Sequence, residues 1–371
     1  GMDMAKLKVT SSEIGGGFGG KTHVWVEPIA LAMSRKANRP VKVVMTRDEV
    51  FRATGPTCST SMDIKIGAKR DGTITAAQSI LRYQNGAFPA TWAMMGAMTS
   101  FACYDLKNCK SVGYDVLCNR PKVAAYRAPS APMAAFGVES VVDMVAAEIG
   151  MDPVEFRIKN AAKEGTRASY GPTYGPIGIG PTLEAVKNHP HMKAPLGPNQ
   201  GRGMACGFWF NFGGQTCVDI NIGTDGTINL TLGTVDVGGA RASMSLICAE
   251  ELGIPYEQVK ANVADTSTLG HNDTTEGSRG TFSSGMATIF AAREAIGELK
   301  SRAAKMWGIP VEAVEWSEGS ATAVGDEHSN LADLSLAEIA AASPGTGGPI
   351  AGHNEVVADG AGVSFASHIC D

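Results

Sequence analysis

Gly15-Gly16-Gly17-Phe18-Gly19-Gly20-Lys21-Thr22 stands near the start of the 371-residue chain. It satisfies two phosphate-binding patterns at once. Gly15, Gly17 and Gly20 fit G-x-G-x-x-G, the dinucleotide fingerprint; Gly15, Gly20, Lys21 and Thr22 fit G-x-x-x-x-G-K-[ST], the P-loop. Successive glycines reach φ > 0 and let backbone N–H groups approach an anion closely. A P-loop also needs a second strand ending in an Asp that reaches Mg²⁺. The run Val41-Lys42-Val43-Val44-Met45-Thr46 reads as that strand, but Asp48 follows Arg47 in a turn and is a poor ligand. A dinucleotide fold needs its acid about 20 residues after the glycines, and Asp48 comes too late. A plain glycine turn between a strand and a helix is the remaining reading.

The rest of the chain supplies context. Ala125-Tyr126-Arg127-Ala128-Pro129-Ser130-Ala131-Pro132 precedes a long amphipathic helix over 133–149. Gly150-Met151-Asp152-Pro153-Val154-Glu155-Phe156-Arg157 follows. Further on come Gly233-Thr234-Val235-Asp236-Val237-Gly238-Gly239, Ala249-Glu250-Glu251-Leu252-Gly253-Ile254-Pro255, Glu276-Gly277-Ser278-Arg279 and Gly285. In this order and spacing the set resembles the molybdenum-pterin subunit of the xanthine dehydrogenase and aldehyde oxidase family. That family includes 4-hydroxybenzoyl-CoA reductase and carbon monoxide dehydrogenase. The resemblance covers nearly the whole chain.

Composition sets bounds. Hydrophobic residues make up 44% and charged ones 19%, with a net charge of −5, as in ordinary globular proteins. No basic stripe with interleaved aromatics suggests nucleic acid. No run approaches the length of a membrane span. Gly1 before Met2 reads as a tag scar, with no signal peptide behind it. The eight cysteines are scattered without C-x-x-C, which points to reduced thiols, the cytoplasm and no iron–sulfur cluster in this chain. His189-Pro190-His191 lies in a Pro-rich loop and reads as surface rather than zinc site.

Local signals predict the elements. Lys6–Thr10 alternates as a short strand, a helix spans about 22–37, and Val41–Thr46 is a strand. Asp71-Gly72 and Asp225-Gly226 sit between alternating runs and predict two hairpins, 62–83 and 217–232. Helices are expected over 240–252 and 282–306. Asp152 with Glu155 reads as a variant capping box, and Ser335 with Glu338 caps a short helix. Residues 164–203 read as a Gly/Pro-rich connector, 343–349 as a loop, and 363–370 as a strand. Both halves carry a glycine turn leading into a helix and an Asp-Gly hairpin, which suggests a duplicated architecture. The expected fold is α+β: two lobes of mixed sheet flanked by helices, of the molybdenum cofactor-binding type, divided as 1–190 and 191–371.

The resemblance implies a cofactor, a pyranopterin (molybdopterin or its dinucleotide) holding molybdenum. It places Gly17, Phe18 and Gly19 at the metal and pterin, and Arg127 near the metal ligands through its backbone. It places Gly238, Gly239 and Ser278 at the pterin or its phosphate tail. The alternatives are a surface ion pair for Arg127 and a helix N-cap for Ser278. No residue is expected to ligate a metal directly.

Departures narrow the substrate. Thr22 stands where the purine-oxidising branch has Glu. Gly238-Gly239-Ala240 replaces Gly-Gln-Gly, Pro132-Met133 replaces Pro-Gln, and Ala128 stands where carbon monoxide dehydrogenases have Cys. Xanthine and carbon monoxide are therefore disfavoured. An aromatic, heterocyclic, aldehyde or thioester-linked aromatic substrate remains open. No Gly-x-Gly-Glu, the segment that carries the family's general base, follows Gly285. The expectation is a partial molybdenum subunit, a split subunit or a fragment, with no catalytic residue of its own. Its expected partners are the rest of that subunit, an iron–sulfur subunit and a flavin subunit. Alone it would be cofactor-free and would self-associate. The rival functions are an inactive fragment and a P-loop nucleotide-binding enzyme.

Overall fold

The computed structural model describes residues 3–55, 57–90, 92–268, 270–359 and 362–371. They form two compact units, neither continuous in sequence. One comprises Phe18–Phe210 with Gly362–Asp371; the other comprises the described residues of Gly1–Gly17 and Asn211–Ala361. The fold is α+β. No helix among the described residues is long and apolar enough to cross a membrane.

The Phe18–Phe210 unit begins with α1 (Glu27–Ala37), which ends at Asn38 in the left-handed region, φ 52°. The predicted start at Thr22 moves to Glu27, whose carboxylate accepts from the Trp25 amide at 2.7 Å. Val41–Thr46 is not a strand: it has no ladder partner among the described residues, and Thr46 instead caps α2 (Arg47–Ala53) through a capping box with Glu49. Strands β1 (Thr60–Ala68) and β2 (Ile74–Gly86) form the predicted hairpin. Gly72 at φ 85° makes the turn, and the Asp71 carboxylate accepts from the Thr73 amide at 2.9 Å.

Helix α3 (Trp92–Thr99) leads to β3 (Cys109–Leu117), parallel to β2. Helix α4 (Ala131–Ile149) buries Ala134, Val138, Val142 and Ala146, and Gly150 ends it at φ 69°. Asp152 then caps α5 (Pro153–Asn160), accepting from Val154 and Glu155. Glu155 returns no bond to the cap; it pairs with Lys187 at 2.7 Å.

The expected connector over 164–203 contains α6 (Ile179–Asn188) and the short α7 (Pro190–Lys193). Ile179, Leu183 and Val186 enter the core beside Phe156 and Phe208. The Tyr174 hydroxyl donates to the Ala102 carbonyl at 2.9 Å. Gly and Pro dominate the composition there and mask a three-residue apolar stripe at helical spacing. Strand β4 (Gly203–Phe210) follows.

The other unit repeats the order of elements. Strands β5 (Gly214–Ile222) and β6 (Ile228–Leu232) form the second Asp-Gly hairpin, followed by α8 (Ala240–Leu252), β7 (Val259–Val263) parallel to β6, and α9 (Gly280–Trp307). Hairpin, helix, parallel strand, helix is also the order from β1 to α4. A small sheet, β8 (Val314–Ser317), β9 (Ser320–Ala323) and β10 (Leu334–Ser335), comes next. Helix α10 (Leu336–Ala341) has the predicted Ser335–Glu338 capping box. Ser343–Thr346, expected as loop, is the short helix α11.

Strand β11 (Ile350–Ala358) completes the main sheet in the order β11-β5-β6-β7. Val218, Ile220, Leu230 and Leu232 face α8 and α9 across a core with Met244 and Leu299. Gly352 lets β11 approach α9: a Cβ there would come within 2.0 Å of the Ala291 carbonyl. The chain then returns to the Phe18–Phe210 unit as β12 (Val363–Cys370), antiparallel to β4. Lys6–Thr10 is not a strand; Thr10 makes only an isolated bridge with Asp265.

Candidate functional site

In the unit containing Asn211–Ala361, two of the glycine-rich segments lie side by side. The Ile14 amide donates to the Asp236 carbonyl at 3.1 Å, and the Gly238 amide donates to the Gly15 carbonyl at 3.2 Å. Gly15 and Val237 form a parallel bridge. Gly238 (φ 62°) and Gly239 (φ 81°) are both left-handed, and Gly239 opens α8 with no side-chain cap. A Cβ at either would meet nothing within 4 Å, so both turns border open space. The Asp236 carboxylate holds the start of α8 by accepting from the Arg241 amide at 3.2 Å and its guanidinium at 3.0 and 3.1 Å.

Ser278 lies in the lead-in to α9, exposed and left-handed at φ 62°, after Gly277 at φ 57°. Its carbonyl accepts from the Asn211 side chain at 2.6 Å, and the Phe212 amide donates to the Gly277 carbonyl at 2.9 Å. A Cβ on Gly277 would strike the Phe212 ring at 2.2 Å, so glycine is required for contact as well as for φ. Ser278 is not the helix cap: Arg279 holds that position, without a side-chain cap bond. The buried Arg279 guanidinium donates to the carbonyls of Gly213, Asp273 and Gln215. This clamp fixes the Ser278 loop. Thr234 and Thr275 hydroxyls, 3.2 Å apart, join the lead-ins of α8 and α9.

The Phe18–Phe210 unit carries the other predicted residues. Gly17 ends the N-terminal stretch that belongs with Asn211–Ala361, and Phe18 begins this unit. Phe18 is left-handed at φ 52° and 67% exposed. Gly19, at φ 93°, rests on the backbone before Tyr126-Arg127: a Cβ there would lie 3.0 Å from the Ala125 Cβ. The glycine turn and the Tyr-Arg segment are therefore in contact. Arg127 is exposed and forms no ion pair among the described residues. Beside it Ala128 (φ 56°) and Ser130 (φ 65°) are left-handed, and the buried Ser130 hydroxyl has no hydrogen-bond partner among the described residues.

Non-glycine residues in the left-handed region cost about 1–2 kcal/mol each and cluster at ligand-holding segments. Of the eight such residues among the described ones, Phe18, Ala128, Ser130 and Ser278 fall in the segments singled out from sequence, and Asn38, Asn199, Ala264 and Glu318 lie elsewhere. Ala128, Ser130 and the Arg279 clamp were not anticipated; only the Gly and Pro around them hinted at unusual backbone.

The turn is not a P-loop. The Thr22 hydroxyl, which a P-loop would give to Mg²⁺, donates back to the Gly19 carbonyl at 2.8 Å. The helix starts at Glu27 rather than directly after Lys21-Thr22.

The molybdopterin cofactor-binding domain family matches the chain twice, over residues 1–161 and 177–364. The chain belongs to this family. Among its relatives, the xanthine dehydrogenase molybdenum-binding subunit of Escherichia coli O157:H7 is 30% identical over 276 residues, 68% of this chain and 36% of the relative. Aldehyde oxidoreductase of Megalodesulfovibrio gigas is 30% identical over 168 residues, 44% of this chain and 18% of the relative. The fold is that of CO dehydrogenase from Oligotropha carboxidovorans, with a TM-score of 0.82 at 24% identity, covering 99% of this chain and 51% of that one. The chain thus spans about half or less of the length of these proteins.

Proposed function

We propose that this chain clasps the pterin in the molybdenum subunit of an oxidoreductase that adds water-derived oxygen to a carbon centre, or removes it. The substrate class is an aromatic or N-heterocyclic compound or an aldehyde. The observation that carries the reading is the double match to the molybdopterin cofactor-binding family. The backbone supports it: the matched regions hold the left-handed turns at Phe18-Gly19, Ala128, Gly238-Gly239 and Ser278.

The turns suit such a ligand. It carries phosphate and anionic metal ligands, which fixed, weakly acidic backbone donors hold without adding charge. The open space at Gly238 and Gly239 admits a group where any side chain would intrude. In this reading Gly17, Phe18 and Gly19 border the metal and pterin, and Arg127 turns its backbone toward the metal's ligands. Gly238, Gly239 and Ser278 hold the pterin or its phosphate tail. When bound, the cofactor supplies oxygen transfer and takes up the electron pair. This chain binds, orients and shields; none of its residues is assigned as the general base. Ala128, in the place of the cysteine of carbon monoxide dehydrogenases, argues against carbon monoxide.

The partners proposed are the remainder of the molybdenum subunit, an iron–sulfur subunit and a flavin subunit that carry electrons away. Exposed Val24, Ile29, Leu31, Met33 and Phe51 support a large apolar surface for such contacts. All eight cysteines are free thiols, which supports a cytoplasmic setting. The test is molybdenum and pterin content of the full-length subunit with Gly239→Val. The reading requires loss of both with the fold kept; undiminished loading would refute it.

A further inference from the structure

We infer that the face of the main sheet turned away from α8 and α9 carries a zinc-class divalent-cation site, made by Cys217, Asp219 and His353. The register builds it. On the antiparallel pair β5–β11, Asp219 lies opposite His353 and Cys217 opposite Glu355. Residues two apart on a strand share a face. Val218 and Ile220 face the core, so Cys217 and Asp219 point the other way. The three side chains offer one donor each, a thiol sulfur, a carboxylate oxygen and an imidazole nitrogen, all within 4.8 Å of one another. Donors around one tetrahedral zinc lie roughly 3.5 Å apart, within reach of small rotamer changes.

The mixed sulfur, nitrogen and oxygen set selects zinc and its neighbours over magnesium, which prefers oxygen alone. Three protein ligands leave a fourth position open, as in exchangeable or catalytic zinc sites. The surroundings favour a cation. His353 Nδ1 meets the Asp219 carboxylate, and Nε2 lies 3.8 Å from Glu355. With Nδ1 on the metal beside Asp219, Nε2 is left toward the Glu355 carboxylate, the kind of partner that orients metal-bound imidazoles. The Glu294 carboxylate accepts from the His353 amide at 3.0 Å and pins this edge of β11. The Cys217 thiol gives up its proton to solvent as the metal–sulfur bond forms. This site lies wholly within one unit and is independent of the molybdopterin assignment.

The test uses the 371-residue chain, stripped with chelator and kept reduced. Titration with CoCl₂ should give saturable tetrahedral cobalt absorption with a thiolate-to-cobalt charge-transfer band. ZnCl₂ should bleach it at one equivalent, and MgCl₂ should not. Cys217→Ser should abolish the charge-transfer band. His353→Gln should weaken cobalt binding at least about tenfold, in line with loss of one ligand. No charge-transfer band in the wild-type chain overturns the inference and leaves an ordinary Asp219–His353 ion pair. An unchanged band in Cys217→Ser, or bleaching by MgCl₂, overturns it as well.

Discussion

The Gly238 amide donates to the Gly15 carbonyl at 3.2 Å. Two glycine turns far apart in sequence are thus one backbone feature, placed at the uncapped start of α8. Gly238 sits at φ 62° with open space where a Cβ would go. Gly238→Val should therefore cost only backbone strain, about 1–2 kcal/mol. The urea midpoint should fall while the slope stays constant. A midpoint equal to wild type would show that the turn relaxes and that glycine is not needed for its conformation.

A second stability prediction concerns Arg157, from the segment that helped define the family resemblance. Its side chain is fully buried, 2.9 Å from Glu139 and 2.6 Å from Asp143. Burial disfavours the guanidinium charge, but Tyr104, Glu139 and Asp143 outweigh it and hold the pKa above the usual arginine value. Glu139 also accepts from the Tyr104 hydroxyl and the Cys206 amide, so α4, α5 and β4 meet at one polar knot. Glu139→Ala leaves the buried Arg157 with Asp143 as its remaining carboxylate and should destabilise the protein by about 3–5 kcal/mol. A loss under about 1 kcal/mol in chemical unfolding would mean that Asp143 alone neutralises Arg157.

How far the sequence carries depends on the range of the interactions. Both Asp-Gly hairpins, the 240–252 helix and the Ser335 capping box are decided by neighbours in the chain, and all formed as read. Val41–Thr46 has strand composition but no strand to pair with among the described residues, and pairing is non-local. Helix α6 was hidden because loop-like composition outweighed the Ile179, Leu183 and Val186 stripe. At the candidate site the glycine turns were legible because glycine marks φ > 0. The left-handed Ala128 and Ser130 were not, because tertiary packing imposes their conformation. The juxtaposition of Cys217, Asp219 and His353 needed the β5–β11 register, which no short window contains.

Lys21→Ala separates the nucleotide reading from the pterin reading. Thr22 is committed to Gly19, and no helix begins at the turn. The wild-type chain should show no Mg²⁺-dependent ATP binding by calorimetry, and Lys21→Ala should change nothing. Saturable ATP binding lost in the variant would restore the P-loop.

The isolated chain should self-associate without cofactor. Neither α1 nor α2 buries a residue, and Phe18, Val24, Ile29, Leu31, Met33 and Phe51 are exposed around them. Sedimentation velocity over a concentration series should show mass rising with concentration, less steeply in an Ile29→Glu, Leu31→Glu variant. A monomer at all concentrations would contradict this, and stoichiometric molybdenum in that monomer would show that these turns alone retain the pterin.

The most direct test of the cofactor assignment is the molybdenum-to-protein ratio of the full-length subunit, wild type against Phe18→Asp. Phe18 is 67% exposed, so the substitution should alter the stability of this chain by no more than about 0.5 kcal/mol. A carboxylate pressed against an anionic metal centre is strongly disfavoured. The account predicts stoichiometric molybdenum in the wild type and its loss in a folded Phe18→Asp subunit; equal molybdenum in both would contradict it.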